Sequence, residues 1–117
     1  MIRKIEFYKD YFTDFYTTLN SKTQEKFEYV FKLVKQSERI PKKFFTHLKS
    51  TSGLYEIRVE FQSNIYRVFC FFDEGKLIVL LNGFQKKTQK TPRKEIEIAE
   101  RLKKEYFNEK RQYDGKI

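Results

Sequence analysis

The chain of 117 residues holds one cysteine, one histidine and no tryptophan. A single thiol excludes a disulfide framework and a thiolate zinc site. A single imidazole excludes His-rich metal centres and any acid–base mechanism built on two histidines. No apolar run approaches the ~18 residues of a membrane span. The opening residues, Met1-Ile2-Arg3-Lys4-Ile5-Glu6-Phe7, lack the apolar core of a signal peptide. A reducing cytoplasm is therefore the expected compartment, with no membrane partner. A P-loop, a dinucleotide glycine fingerprint, a zinc motif and a nucleophile elbow are all missing. No repeat, low-complexity segment or internal boundary appears, so residues 1–117 read as one domain, with residues 108–117 a polar tail expected to fray.

What the chain does have is aromatic side chains and positive charge. Thirteen Phe and eight Tyr make 18% of the residues, enough to build a core. A chain of this size buries roughly two-thirds of its unfolded surface and needs no disulfide. The net charge is +9, and it is uneven. Residues 39–58 carry five bases against one acid, and residues 84–117 carry eleven against six. The first part of the second block holds Lys86, Lys87, Lys90, Arg93 and Lys94 before any acid. Clustered positive charge favours a polyanion through counterion release; a merely solvated surface is the plainer alternative.

Hydrophobic spacing predicts the elements. Residues 2–8 read as a short edge strand. Phe12, Phe15, Tyr16 and Leu19 recur on one helical face, Asn20-Ser21 breaks it, and Ser21 with Gln24 forms a capping-box pattern. Phe27, Val30, Phe31 and Val34 stripe a second helix, and the short connection predicts an antiparallel pair ending before Pro41. Strands over 54–61, 65–72 and 76–84 follow, with turns at Ser63-Asn64 and Glu74-Gly75. Pro92 sits in the first turn of a last helix carrying Ile96, Ala99, Leu102 and Tyr106.

Period-2 alternation places Tyr55, Ile57, Val59 and Phe61 on one face with Tyr66, Val68, Cys70 and Phe72, against the helix pair. Two-residue turns then put Arg58 across from Phe69, Arg67 between Glu60 and Asn82, and Ile65 across from Phe84. The opposite face collects Arg58, Arg67, Asn82 and Phe84, and the basic run from Lys86 leaves that edge. Two arginines there are suited to grip a phosphate, being planar, charged and bidentate. The alternative is that each pairs with a nearby carboxylate, Glu56 or Glu60. Lys86-Lys87-Thr88-Gln89-Lys90-Thr91-Pro92 leads into a helix N-terminus, which favours anions. His47 is a candidate acid or base, although a lone histidine is more often structural. Cys70 reads as core, and Phe84 as core or a base-stacking platform. Acidic pairs that would hold magnesium are not expected on this face.

Leu48-Lys49, Gly53-Leu54-Tyr55-Glu56-Ile57-Arg58, Ile65-Tyr66-Arg67-Val68-Phe69 and Leu80-Leu81-Asn82-Gly83-Phe84-Gln85-Lys86-Lys87-Thr88-Gln89-Lys90-Thr91-Pro92 together resemble the HigB-type, phage-related branch of the RelE/ParE toxin superfamily. The resemblance implies an α+β fold of RelE type: a small antiparallel or mixed four-stranded sheet, an N-terminal helix pair on one face and a C-terminal helix. It implies the toxin of a type II toxin–antitoxin system, a metal-independent, ribosome-dependent endoribonuclease that cuts mRNA in the 30S A site and inhibits translation, with no cofactor. Its partners are an antitoxin of HigA-like, helix-turn-helix type, mRNA and the ribosome. Arg58, Arg67 and Lys87 match the family's basic positions and are assigned as catalytic. Lys43, Lys49, Asn82, Phe84, Lys86 and Lys90 are assigned to RNA binding. Glu56 stands where some relatives carry a lysine, which leaves the general base unassigned. A ParE-like gyrase inhibitor and a non-catalytic nucleic-acid-binding module are the rival expectations.

Overall fold

The structure, a computed structural model, describes residues 2–87, 90 and 92–114. Thr88, Gln89 and Thr91 of the basic run, Met1 and residues 115–117 of the predicted tail lie outside it. The elements run β1 (Lys4–Phe7), α1 (Tyr11–Tyr16), α2 (Ser21–Gln36), β2 (Phe45–His47), β3 (Tyr55–Phe61), β4 (Asn64–Asp73), β5 (Leu77–Lys86) and α3 (Arg93–Asp114).

The aromatic stripes form the helix pair as their spacing predicts. Phe12 from α1 and Phe27, Val30 and Val34 from α2 are buried on the sheet. The cap differs from expectation. Asn20, not Ser21, caps α2, its side-chain oxygen accepting from the Thr23 amide at 2.9 Å. Gln24 is thereby free to donate through Nε2 to the Tyr16 carbonyl at 2.9 Å, tying α2 to α1.

The sheet has five strands, ordered β1-β5-β4-β3-β2, where the sequence pattern predicts four. The added strand is β2, three residues antiparallel to β3, too short to show alternation. β1 is an edge strand and runs parallel to β5; the other pairings are antiparallel. Ile57, Val59, Val68, Cys70, Ile78 and Leu80 face the helix pair. Leu54, Phe69, Phe71, Val79, Leu81 and Phe84 face α3, which contributes Ala99 and Leu102. The sheet is thus filled from both sides, and β4 is apolar on both faces for that reason.

Two registers differ from expectation. The β3–β4 turn is Gln62-Ser63, with φ of 50° and 66°, closed by the Phe61–Asn64 pair. This shifts the pairing by two residues and keeps every face, so Arg58 stands across from Arg67 rather than Phe69. Glu60 stands across from Ile65 rather than Arg67. The β4–β5 connection spans Glu74, Gly75 and Lys76, and a bulge between Val68 and Cys70 adds a second displacement. Arg67 therefore faces Phe84 rather than Asn82, and Ile65 faces Lys86 rather than Phe84.

α3 runs to Asp114, through the region where the sequence predicts fraying. Its later turns are anchored. The Tyr106 hydroxyl donates to Asp73 at 2.5 Å, Lys110 bridges Asp73 and Glu74 at 3.0 Å each, and the Tyr8 hydroxyl donates to Glu109 at 2.9 Å.

Candidate nucleic-acid site

Alternation along three neighbouring strands brings the site together. On β3, Glu56, Arg58 and Glu60 share the face opposite Ile57 and Val59. Arg67 lies on the same face of β4, directly across from Arg58. Phe84 and Lys86 follow on β5, across from Arg67 and Ile65. Both arginines are on one side of the sheet, as their sequence parity requires.

Carboxylates accompany both of them. Arg67 is 8% exposed, and its Nη1 donates to both carboxylate oxygens of buried Glu56, at 2.7 and 2.5 Å. Arg58 is half-buried and its Nη2 pairs with Glu60. The pairing alternative read from sequence is thus present in the structure. Glu56 and Glu60 share this face because residues 56, 58 and 60 alternate onto one side together. Among the described residues no group of three or more His, Cys, Asp or Glu side chains is placed to hold a metal ion.

Lys86 responds to this setting. Partial burial, then the guanidiniums of Arg67 and Arg58, hold its ammonium below the usual lysine range, with Glu56 opposing. Three cations and two carboxylates therefore form one electrostatic cluster. Lys87 follows the last residue of β5 and is exposed. The lysine aligned with the arginines is Lys86, one position before the residue assigned from the resemblance.

Other assigned residues separate from the cluster. His47 is paired with Tyr55, and the two rings meet edge to face at 5.1 Å on the helix-pair side of the sheet, opposite the arginines. An acid–base role beside Arg67 is not available to it from there. Phe84 is 9% exposed and packs edge to face on Phe69 at 5.1 Å, so it is core rather than a stacking platform. Asn82 is buried, its Nδ2 donating to the Glu95 carbonyl and to Glu95 Oε1, each at 3.1 Å. It anchors the start of α3 instead of reaching an RNA. Lys49 lies in the β2–β3 connection, past the Leu48–Leu54 hydrogen bond. That is about 13 Å along the strand from Arg58 at ~3.3 Å per residue. Lys90 is exposed ahead of α3.

Lys43 does reach the site. With Lys26, Phe44, Arg58 and Glu60 it lines a cleft of 310 Å³ at the open edge of β3. Lys26, on α2, went unrecognised in the sequence: only the fold carries it to Arg58. Cys70 is fully buried, which pushes its thiol well above the usual range and leaves it a core side chain. No helix among the described residues is long and apolar enough to cross a membrane.

The comparisons with known proteins agree with this architecture. A search of curated proteins returns no match. Among solved structures, the crystal structure of an archaeal RelE–RelB complex from Pyrococcus horikoshii OT3 matches with a TM-score of 0.56 at 20% identity, covering 74% of this chain and 98% of that one. The fold is therefore RelE-like, with its mixed sheet and terminal helices, as the sequence resemblance implies. The family model described as phage-derived protein Gp49-like (DUF891) matches residues 14–104, from α1 to the middle of α3, and the chain belongs to that family.

Proposed function

We propose that this protein is the toxin of a type II toxin–antitoxin pair and cleaves mRNA without a metal, on the ribosome, in the cytoplasm. The observation that carries the reading is the convergence of Arg58, Arg67 and Lys86 from three adjacent strands on one sheet face. The Gp49-like family and the RelE-like fold support the toxin assignment.

RNA can be cut by its own 2′-hydroxyl attacking the adjacent phosphate, with the 5′-oxygen leaving. The reaction needs a base for the hydroxyl, cations for the charge that builds on phosphorus, and an acid for the leaving oxygen. Arg67, oriented by Glu56, is a fixed donor beside the phosphate. Arg58 exchanges Glu60 for a phosphate oxygen when RNA arrives. Lys86, its pKa lowered by burial and by the two guanidiniums, is the group best placed to move a proton. Lys87 and Lys90 hold the backbone on either side. A HigA-like antitoxin silences the site, and an acidic segment suits the cleft along α3, where Arg101, Lys103, Lys104 and Arg111 outnumber the one carboxylate, Glu100.

The carboxylates beside both arginines favour a second reading, a module that binds nucleic acid and does not cut it. Mapping transcript 5′ ends after brief induction in cells lacking the antitoxin separates the two. Cuts at a fixed position within the ribosomal A site support the ribonuclease. Intact transcripts with arrested growth refute it, and DNA breakage instead identifies a gyrase poison.

A further inference from the structure

β2 begins only at Phe45, so beyond Ile57 strand β3 loses its neighbour. The last bond across that edge is from the Arg58 amide to the Phe44 carbonyl, at 2.9 Å. Past it, exposed Glu60 and half-buried Phe61 lie at an edge that no strand covers. The 310 Å³ cleft occupies it, walled by Lys26 of α2 and by Lys43-Phe44. Arg58 lies on its floor and also belongs to the cluster with Arg67 and Lys86. The cleft is therefore continuous with the proposed cutting site.

Its lining holds three cations against one carboxylate, Glu60. Each lysine also stands over an aromatic ring. Lys43 Nζ lies 5.0 Å from the centroid of Phe44, and Lys26 Nζ lies 5.0 Å from that of Tyr29. Tyr29 is 52% exposed, so its ring is open to a ligand. Solvated lysines need neither a concave wall nor aromatic partners. Cations alternating with ring faces match a single strand, in which phosphates alternate with bases.

We infer that the cleft of Lys26, Lys43, Phe44 and Arg58 is a second nucleotide subsite. It takes the phosphate next to the scissile one and seats a base on Phe44, and the strand leaves over Tyr29. The inference rests on the ribonuclease reading and adds the direction in which the RNA leaves the site: across the open edge of β3 toward α2.

The test measures binding of a short, fully 2′-O-methylated single-stranded RNA, which cannot be cleaved, by fluorescence anisotropy at several salt concentrations. Lys26→Ala and Lys43→Ala should each weaken binding about three- to tenfold at low salt, and each should flatten the plot of log affinity against log salt by about 0.7. Tyr29→Ala should weaken binding about fivefold or more. Glu60→Gln should tighten it, because Arg58 loses its carboxylate. Lys76→Ala, beside Glu74 at a distant pocket, should change nothing. Lysine variants within twofold of wild type, with unchanged slopes, overturn the subsite while the ribonuclease reading stands on its cleavage map. Wild-type protein that binds no RNA even at low salt also overturns the subsite, and the ribonuclease reading is then judged on its cleavage map alone. A polyglutamate peptide that binds as tightly, with the same dependence on Lys26 and Lys43, assigns the cleft to an acidic protein segment and overturns the RNA subsite.

Discussion

Arg58 and Arg67 stand directly across from one another on neighbouring antiparallel strands, and each guanidinium has its own carboxylate. Like charges facing across a strand pair repel. Glu56 and Glu60, two residues before and two after Arg58 or on its flank, make the juxtaposition tolerable. The two pairs differ in burial. Glu56 with Arg67 is almost sealed, whereas Glu60 with Arg58 is open to solvent and to a competing anion.

This difference predicts unequal stability effects. Glu56→Gln leaves Arg67 buried with a neutral partner, and breaking a buried pair from one side costs about 3–5 kcal/mol. Glu60→Gln breaks an exposed pair and should cost under about 1 kcal/mol. Urea unfolding of both variants measures this. Equal midpoints would show that the Glu56–Arg67 pair does not hold β3 to β4.

The reactive lysine can be identified by substitution. Arg67→Ala should remove growth inhibition. Lys86→Ala should reduce cleavage by about 10²-fold, on the scale of a lost acid–base group, and Lys87→Ala by much less. The lowered pKa of Lys86 gives a pH signature. A lysine acting as base works when neutral, so the rate should climb with pH and level off below the usual lysine value of ~10.4. Lys86→Arg, which stays charged, should lose that limb. If Lys87→Ala is the more damaging change, the assignment returns to the position that the family resemblance gives.

Much of this was legible in the sequence, and the exceptions have physical causes. The stripes of α1 and α2 and the alternation of β3 show because one side of each must be buried. The shared face of Arg58 and Arg67 survives any even shift of register, so it is the same for a turn at Ser63-Asn64 as for the turn at Gln62-Ser63. Gln62-Ser63 is a poor sequence signal for a turn with two positive φ values, since Ser63-Asn64 beside it looks the better candidate. The bulge near Val68 has no local signal at all. Parity within β5 identifies Lys86 over Lys87 only once that bulge is known. Asn82 and Phe84 read as site residues because nothing in a strand's own pattern says that α3 covers them. Lys26 lies thirty or more residues from every other member of the site except Lys43 and Phe44, and only tertiary packing brings it in.

Gly83 has a packing role. A Cβ there would lie 2.7 Å from Cδ2 of Phe15, in the layer where α1 crosses β5. Gly83→Ala must push Phe15 or α1 away, and overpacking of this kind costs about 1–3 kcal/mol. Thermal unfolding should register the loss. Gly83→Ala combined with Phe15→Leu should recover part of it, because the smaller side chain vacates the ring edge; an unchanged double variant would mean the strain lies elsewhere.

The hold on α3 should be pH-dependent at both extremes. Asp73 is buried, which alone would raise its pKa, but hydrogen bonds from Tyr106 and Lys110 bring it below the ordinary aspartate value. A carboxyl lowered in the fold stabilises above its unfolded pKa of ~3.9 and loses that contribution as pH falls through the folded value. In the other direction, burial and the bond to Asp73 push Tyr106 up to about 12, and the bond to Asp73 raises Lys110 as well. Groups raised in the fold stabilise fully below their unfolded pKa and lose the contribution as pH rises through the folded one. The anchor should therefore be intact from about pH 5 to 9 and weaken below pH 4 and above pH 10. Asp73→Asn should flatten the acid side of this profile. Hydrogen exchange of the amides in residues 103–112 tests it: faster exchange in the variant at pH 7, with the amides of α2 unchanged, places the effect in the anchor. Equal exchange in both proteins would show that apolar packing of Leu102 and Tyr106 alone holds the helix on the sheet.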